Sequence, residues 1–373
     1  MLYHLPALNT RNADIDSFAN LARYGLTESV QDRFVQIRAN DPDLVPGRVA
    51  RVDGISTFVH ASSSDYRAAS KSARFAHENE LEIEPAQPTV GDWVLVRPGP
   101  NRDSGTIELV LPRSSLLVRK RATRGAKIGT DQILAANIDT AFVVQSTTYF
   151  NAGRLERELA LVWASGSTPV VVLTKSDLLE DGGEKLAEVL ALAAATAPGV
   201  EVFVVSGMTG EGTDALRRFS ATGMTVVLIG ASGVGKSTLV NQLLGEEVMD
   251  TGEIRESDAR GRHTTTTRQL LPLPGGGVLI DSPGIRTIGL AARSEEALSK
   301  TFSEIEPFLG ACSFDDCSHE GESECAVADA IADGRLQASR FESYSQMKRE
   351  LQQDQARSDL RPKGRTGRRD DQD

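Results

Sequence analysis

Gly230-Ala-Ser-Gly-Val-Gly-Lys-Ser237 follows the apolar run Met224-Thr-Val-Val-Leu-Ile229 and precedes Thr238-Leu-Val-Asn-Gln-Leu-Leu244. A buried strand that turns through glycines into a helix start aims backbone N–H groups and the positive end of the helix dipole at one point, which suits a polyphosphate. Gly230, Gly233 and Gly235 keep side chains clear of that point, and Ala231, Ser232 and Val234 supply the intervening loop backbone. Lys236 is expected to reach the β- and γ-phosphates, Ser237 to ligate Mg²⁺, and Thr238 to stand behind them in the first helical turn.

Outward from this loop, Ala141–Val144, Val170–Leu173, Val202–Val205 and Val226–Ile229 read as buried parallel strands. Helical patterns at 154–163, 184–192 and 213–219 lie between them. Gln269–Leu273 and Val278–Asp281 flank Pro-Gly-Gly-Gly as a hairpin. The expected result is a six-stranded, mostly parallel sheet with helices on both faces.

Two upstream turns suit a guanine base. Thr174-Lys175-Ser176-Asp177 closes a strand, and the Asp177 carboxylate can accept from guanine N1–H and the 2-amino group together, a donor pair adenine lacks. Lys175 would lie along the base. Val205-Ser206-Gly207 can offer backbone N–H to guanine O6. A plain helix cap is the bland reading of Lys-x-Asp, and the neighbouring 206 turn favours the base-binding one.

Downstream, Gly261-Arg-His-Thr-Thr-Thr-Thr267 and Asp281-Ser-Pro-Gly284 read as γ-phosphate-sensing loops. Asp281 would hold the Mg²⁺ shell and Gly284 would present its N–H to the γ-phosphate. A hydroxyl from Thr264, Thr265 or Thr266 would reach Mg²⁺, with Thr265 the choice carried forward. Ile285 stands where Ras-like GTPases place a water-orienting glutamine, so His263 is the candidate for that task.

Base-reading turns precede the phosphate loop, the reverse of the usual GTPase order. With Ala136-Asn-Ile-Asp139, Gly-Arg-His-Thr-Thr-Thr, Pro-Leu-Pro-Gly-Gly-Gly and Asp-Ser-Pro-Gly-Ile, the chain resembles the circularly permuted GTPases of the ribosome small-subunit-dependent GTPase A family over roughly residues 45 to 350. The resemblance implies a small-subunit maturation factor whose hydrolysis of GTP to GDP that subunit stimulates, with barrel and zinc domains gripping its rRNA. A P-loop ATPase and an RNA-binding scaffold that only senses GTP are the rivals.

The flanks fit three domains. Short alternating strands at 48–52, 56–60, 92–97 and 106–111 suggest a small all-β barrel, OB-like rather than SH3-like by choice, because periodicity does not separate the two. Cys312, Cys317 and Cys325, the only cysteines, join His319 in Cys-x4-Cys-x-His-x5-Cys, a set sufficient for a closed, structural Zn²⁺ site. The expected layout is an N-terminal extension (1–44) with a short helix near 17–23, a barrel (45–114), a permuted α/β P-loop GTPase domain (115–290), a small helical zinc domain (291–356) and a disordered basic tail (357–373). Residues 113–127 carry six arginines or lysines and no acid, which reads as a connector that touches phosphate backbone or is simply solvated.

A net charge of −11 excludes a uniformly basic nucleic-acid coat, so RNA contacts must be local. The N-terminus lacks the pattern of a secretory signal and no run approaches a membrane span, so a cytoplasmic monomer is expected.

Overall fold

The computed structural model describes residues 18–54, 56–70, 73–75, 87–101, 103–120, 131–179, 183–247, 268–281, 295–314, 316–320 and 322–359. They fall into two compact units that divide after Ala291. No helix among them is long and apolar enough to cross a membrane.

In the first unit, β1 (Val45–Asp53), β2 (Ser56–Ala61), β3 (Tyr66–Ala69), β5 (Trp93–Pro98) and β6 (Ser104–Val110) form a closed five-stranded barrel, with β4 (Arg74–Phe75) added beside β6. Within the barrel, neighbours pair antiparallel except β3 with β6, which run parallel, and the added β4 also runs parallel to β6. That closure gives the OB-like connectivity and separates the barrel from an SH3-like one. A register shift between Val49 and Arg51 bends β1, so its first half pairs with β5 while its second half continues along β2 and touches β13 (Gln269–Pro272) at Arg51. On β5, Val94 and Val96 enter the barrel core while Trp93 and Leu95 enter the larger core shared with the α/β region. The strand is buried on both faces, which is why it reads as a continuous apolar run.

The α/β sheet has the order β11 (Val202–Val204), β10 (Thr168–Thr174), β9 (Thr140–Ser146), β12 (Thr225–Ile229), β14 (Val278–Asp281), β13. All pairs are parallel except β13 with β14. The six-stranded expectation agrees with this.

Three local expectations need correction. The N-terminal extension, expected to hold only a short helix near 17–23, also holds α1 (Glu28–Arg38), whose Val30, Phe34 and Ile37 recur at helical spacing, Phe34 being completely enclosed. Residues 18–22 are helical too, with Leu21 in the same core. Within the basic connector, β7 (Leu116–Lys120) pairs with β8 (Asp131–Ala136); the rest, 121–130, lies outside the described residues. Arg113 is not exposed to a phosphate backbone, because its guanidinium grips both carboxylate oxygens of the buried Asp92 at 2.7 Å. Finally, Thr213–Ser220 is a 3₁₀ helix rather than an α-helix, and the repeat of Thr213, Leu216 and Phe219 at every third residue is its signature.

Barrel and α/β sheet meet at buried polar groups. Arg48 of β1, 1% exposed, donates to Tyr24 O (2.6 Å), Gly91 O (3.2 Å), Asn137 O (3.2 Å) and Thr225 Oγ1 (2.9 Å). Its charge lies over the Trp93 ring, and burial lowers its pKa to about 10. Asn137, held in the left-handed region at φ 55°, donates to Gly91 O and accepts from Ser114 N, while Asp139 accepts from Thr225 N at 2.7 Å. The Ala136-Asn-Ile-Asp139 signature is thus the seam between the two folds.

The second unit packs α5 (Glu295–Thr301), α6 (Glu306–Leu309), α7 (Ala326–Ala332) and α8 (Ala338–Asp359) around Phe302, Ile305, Val327, Tyr344 and Met347. The long α8 continues to Asp359, so the first residues of the expected disordered tail are helical; 360–373 lie outside the described residues.

Candidate functional site

The phosphate loop runs from the end of β12 to the start of α4 (Lys236–Leu244). Gly230, Gly233 and Gly235 have φ of 153°, 77° and 98°. At the latter two a side chain would be strained. At Gly230 a Cβ would sit 2.4 Å from Val144 O, so the loop leaves the sheet pressed against β9. Lys236 Nζ donates back to Gly230 O at 2.9 Å and to Ala231 O. A ligand oxygen can replace such carbonyls without leaving the ammonium unpaired. Ser232 and Gly233 are exposed, Val234 is buried, and Ser237 and Thr238 are half-buried at the loop mouth.

The two upstream turns arrive at the same place. The Thr174 hydroxyl, at the end of β10, donates toward Val234 O of the phosphate loop and toward Gln145 O (3.2 Å), and a Cβ on Gly235 would meet Thr174 Oγ1 at 3.2 Å. Thr174 therefore braces the phosphate loop. The hydroxyl of Thr147 donates to Thr174 O and Lys175 O at 3.0 and 2.9 Å, and this holds Lys175 in the left-handed region at φ 63°. Asp177 follows in a 3₁₀ turn with its side chain exposed. Gly207 packs on α4, where a Cβ would lie 3.1 Å from Thr238 Cγ2. The N–H of the fully buried Ser206 is taken by Glu211 O at 2.9 Å, so in that turn the Gly207 N–H is the candidate for guanine O6. With β9 alone between β10 and β12, base-side and phosphate-side loops are two strand spacings apart, about 10 Å, a separation one nucleotide spans.

Asp281 ends β14, and burial pushes its carboxyl up to about 6 against the pull of Lys236. Its partners in the expected Mg²⁺ shell divide: Ser237 is described, whereas Thr265, like His263 and Gly284, lies outside the described residues.

Residues the sequence reading missed stand behind these loops. Thr147 carried no signal. Glu158 did: it sits on the apolar face of α2 (Ala152–Ser165) between Leu155 and Leu159, where an acid is out of place. Its carboxylate accepts from Gln145 Nε2 at 2.7 Å and Arg154 Nε at 3.1 Å.

In the second unit, the ligand atoms of Cys312, Cys317, His319 and Cys325 lie within 4.8 Å of one another. His319 Nδ1 is 3.4, 3.5 and 3.5 Å from the three sulfurs. A tetrahedral zinc with ordinary Zn–S and Zn–N bonds requires edges of about 3.6 Å, so the four side chains fit a structural metal such as zinc. Glu322 shapes the intervening loop by accepting from Ser318 N and Glu320 N, and Phe341 of α8 sets its ring edge-on to His319 at 6.0 Å.

Comparison with known proteins gives the family and the fold. The RsgA GTPase family matches residues 110–291. A relative from Streptomyces coelicolor, the small ribosomal subunit biogenesis GTPase RsgA, is 42% identical over 94% of this chain and 92% of its own length. Among solved structures, YjeQ from Thermotoga maritima superposes with a TM-score of 0.58 at 26% identity, covering 83% of this chain and 99% of that one. YloQ, described as a circularly permuted GTPase, reaches 0.56 at 24% identity over 86% of this chain and 97% of its own, a likeness of fold.

Proposed function

This chain belongs to the RsgA GTPase family and is a GTP hydrolase; we propose that it acts as a late maturation factor of the small ribosomal subunit, activated by that subunit. The observation that carries this reading is the hydrogen bond of Thr174 to the phosphate loop, with Gly207 packed on the first turn of α4, which supports one nucleotide being held by the base-side and phosphate-side loops together. In this reading Asp177 selects guanine, with Lys175 and the Gly207 N–H beside it. The N–H groups of 230–238 and Lys236 hold the phosphates. Ser237, Asp281 and Thr265 hold Mg²⁺, which when bound neutralises charge between the β- and γ-phosphates. Gly284 senses the γ-phosphate and His263 orients the attacking water. The cysteine-histidine set holds one Zn²⁺ with no open position, so its role is structural.

For rRNA, the barrel supports contact through one row across three strands. Arg51 of β1 pairs with Phe58 of β2, and Phe58 with Arg67 of β3. Both guanidinium groups lie over the Phe58 ring, at 4.1 and 4.9 Å. The ring backs the two guanidinium planes, of which Arg51 also pairs with Asp53 at 2.8 Å, and an unpaired base would stack on a guanidinium plane next to its phosphates. The protein acts as a cytoplasmic monomer in this scheme, with the zinc domain providing the second rRNA contact.

Phosphate release by the purified chain with and without small ribosomal subunits tests the proposal. Stimulation by the subunit, competition by GDP but not ADP, and reduced guanine preference in Asp177→Asn are expected. Equal turnover of ATP would transfer the site to the rival ATPase class.

A further inference from the structure

The row of cross-strand partners that carries Arg51, Phe58 and Arg67 does not stop at the barrel. Barrel and α/β strands belong to one continuous sheet, in which β1 lies beside β13. The partner of Arg51 on β13 is Gln269, and Gln269 in turn stands opposite Asp281 at the end of β14. One line of direct partners therefore runs Asp281, Gln269, Arg51, Phe58, Arg67 across five strands. Directly opposed residues of antiparallel strands share a face of the sheet. That face is the outer one, because the alternating neighbours Thr57, Ala68, Leu270 and Ile280 are buried.

The side chains along the line have what a single-stranded RNA needs. Gln269 is exposed, and its amide, both donor and acceptor, has no partner among the described residues. Arg67 is exposed and meets the Phe58 ring but no carboxylate among the described residues. Arg51 sets Nε against Asp53, which leaves its two terminal nitrogens for a phosphate. From Gln269 to Arg67 is three strand spacings, roughly 14 Å, the scale of a few nucleotides. Taken singly, Gln269 is an ordinary solvated strand residue. Its alignment with the Arg-Phe-Arg set on one side and with Asp281 on the other is what singles it out.

Resting on the rRNA reading given above, we propose that the RNA surface of this chain extends from the barrel onto the α/β sheet along this row, so that a single strand held by Arg67 and Arg51 ends at Gln269. The arginines take phosphates and stack on bases, and the Gln269 amide bonds a base edge or a 2′-hydroxyl. Bound RNA then comes within one strand spacing, about 5 Å, of Asp281. Gln269 also follows Thr267, the end of the stretch read from the sequence as sensing the γ-phosphate, by only two residues. The RNA surface thus runs up to the edge of the nucleotide site, which gives the small subunit a direct route to it.

The test is fluorescence anisotropy of a dye-labelled, single-stranded hexauridine titrated with the full chain at low salt, with Mg²⁺ and GDP present. Gln269→Glu is expected to weaken binding about fivefold and Gln269→Lys to tighten it about fivefold, while Arg67→Ala weakens it by at least as much as Gln269→Glu. Leu192→Lys controls for net charge, since Leu192 is exposed on the helix Glu184–Thr196, which packs against the opposite edge strand β11. Its affinity should stay within twofold of wild type. Loss of folding cannot mimic opposite shifts from one position, and thermal melting checks each variant, with Gln269→Arg replacing a lysine variant that does not fold. If both Gln269 variants bind like wild type while Arg67→Ala binds more weakly, the extension is overturned and the barrel contact stands. Equal tightening by Leu192→Lys also overturns the extension. If the wild type does not bind, or Arg67→Ala loses nothing, the barrel reading falls and this inference with it.

Discussion

The two ends of β12 make opposite use of polar groups. At its start, Thr225 donates its N–H to Asp139 and accepts from the buried Arg48 through its hydroxyl, so its polar groups are taken by protein partners. At its far end, five residues later, the chain opens into glycines at positive φ, a lysine resting on loop carbonyls and, across the cleft, an exposed aspartate. The first end derives rigidity from groups whose partners are permanent, and the second derives chemistry from groups whose partners are replaceable. One strand therefore ties a mobile chemical task to an immobile foundation.

The strongest way to break this contrast is Arg48→Met. It leaves four acceptors from four segments without their donor, and is expected to cost about 3 to 5 kcal/mol of stability, read by chemical denaturation, while nucleotide affinity well below the melting temperature stays near wild type. Lys236→Ala should do the reverse. Phosphate release should fall at least about a hundredfold, about 3 kcal/mol, with a melting temperature within a few degrees of wild type.

Acid separates the ends next. Asp281 has its carboxyl raised to about 6, so it is charged above that pH and neutral below. If its charge serves the Mg²⁺ shell, hydrolysis at subsaturating Mg²⁺ should fall about tenfold per pH unit as the pH drops below about 6, and a profile flat to pH 5 would remove Asp281 from that role. The smallest effect expected is that of Thr174→Val, which keeps the shape and deletes the hydroxyl that reaches Val234 O. Nucleotide affinity should weaken about fivefold, about 1 kcal/mol, with little change in melting. An unaltered affinity would show that the base-side strand does not brace the phosphate loop.

The replaceable end was legible in the sequence because its chemistry is local. Glycine spacing, a lysine and a serine after an apolar run, and cysteines at short intervals state their function within ten or fifteen residues. The permanent end was not legible. Arg113 looked like part of a basic connector until Asp92 was seen to hold it, and Asn137 and Asp139 carried a recognisable pattern with no assigned task. α1 was hidden because its charges mask a stripe only three side chains wide.

By itself the sequence singled out the loops proposed here to meet phosphate, base and metal, since the signals for them reside in residue type and short spacing. The three-dimensional fold alone decided how barrel and sheet are joined, that β3 and β6 close the barrel in parallel, and that Thr174 and Glu158 stand under the phosphate loop. Such contacts join residues tens of positions apart, and a chain records no distance between residues until its packing brings them together.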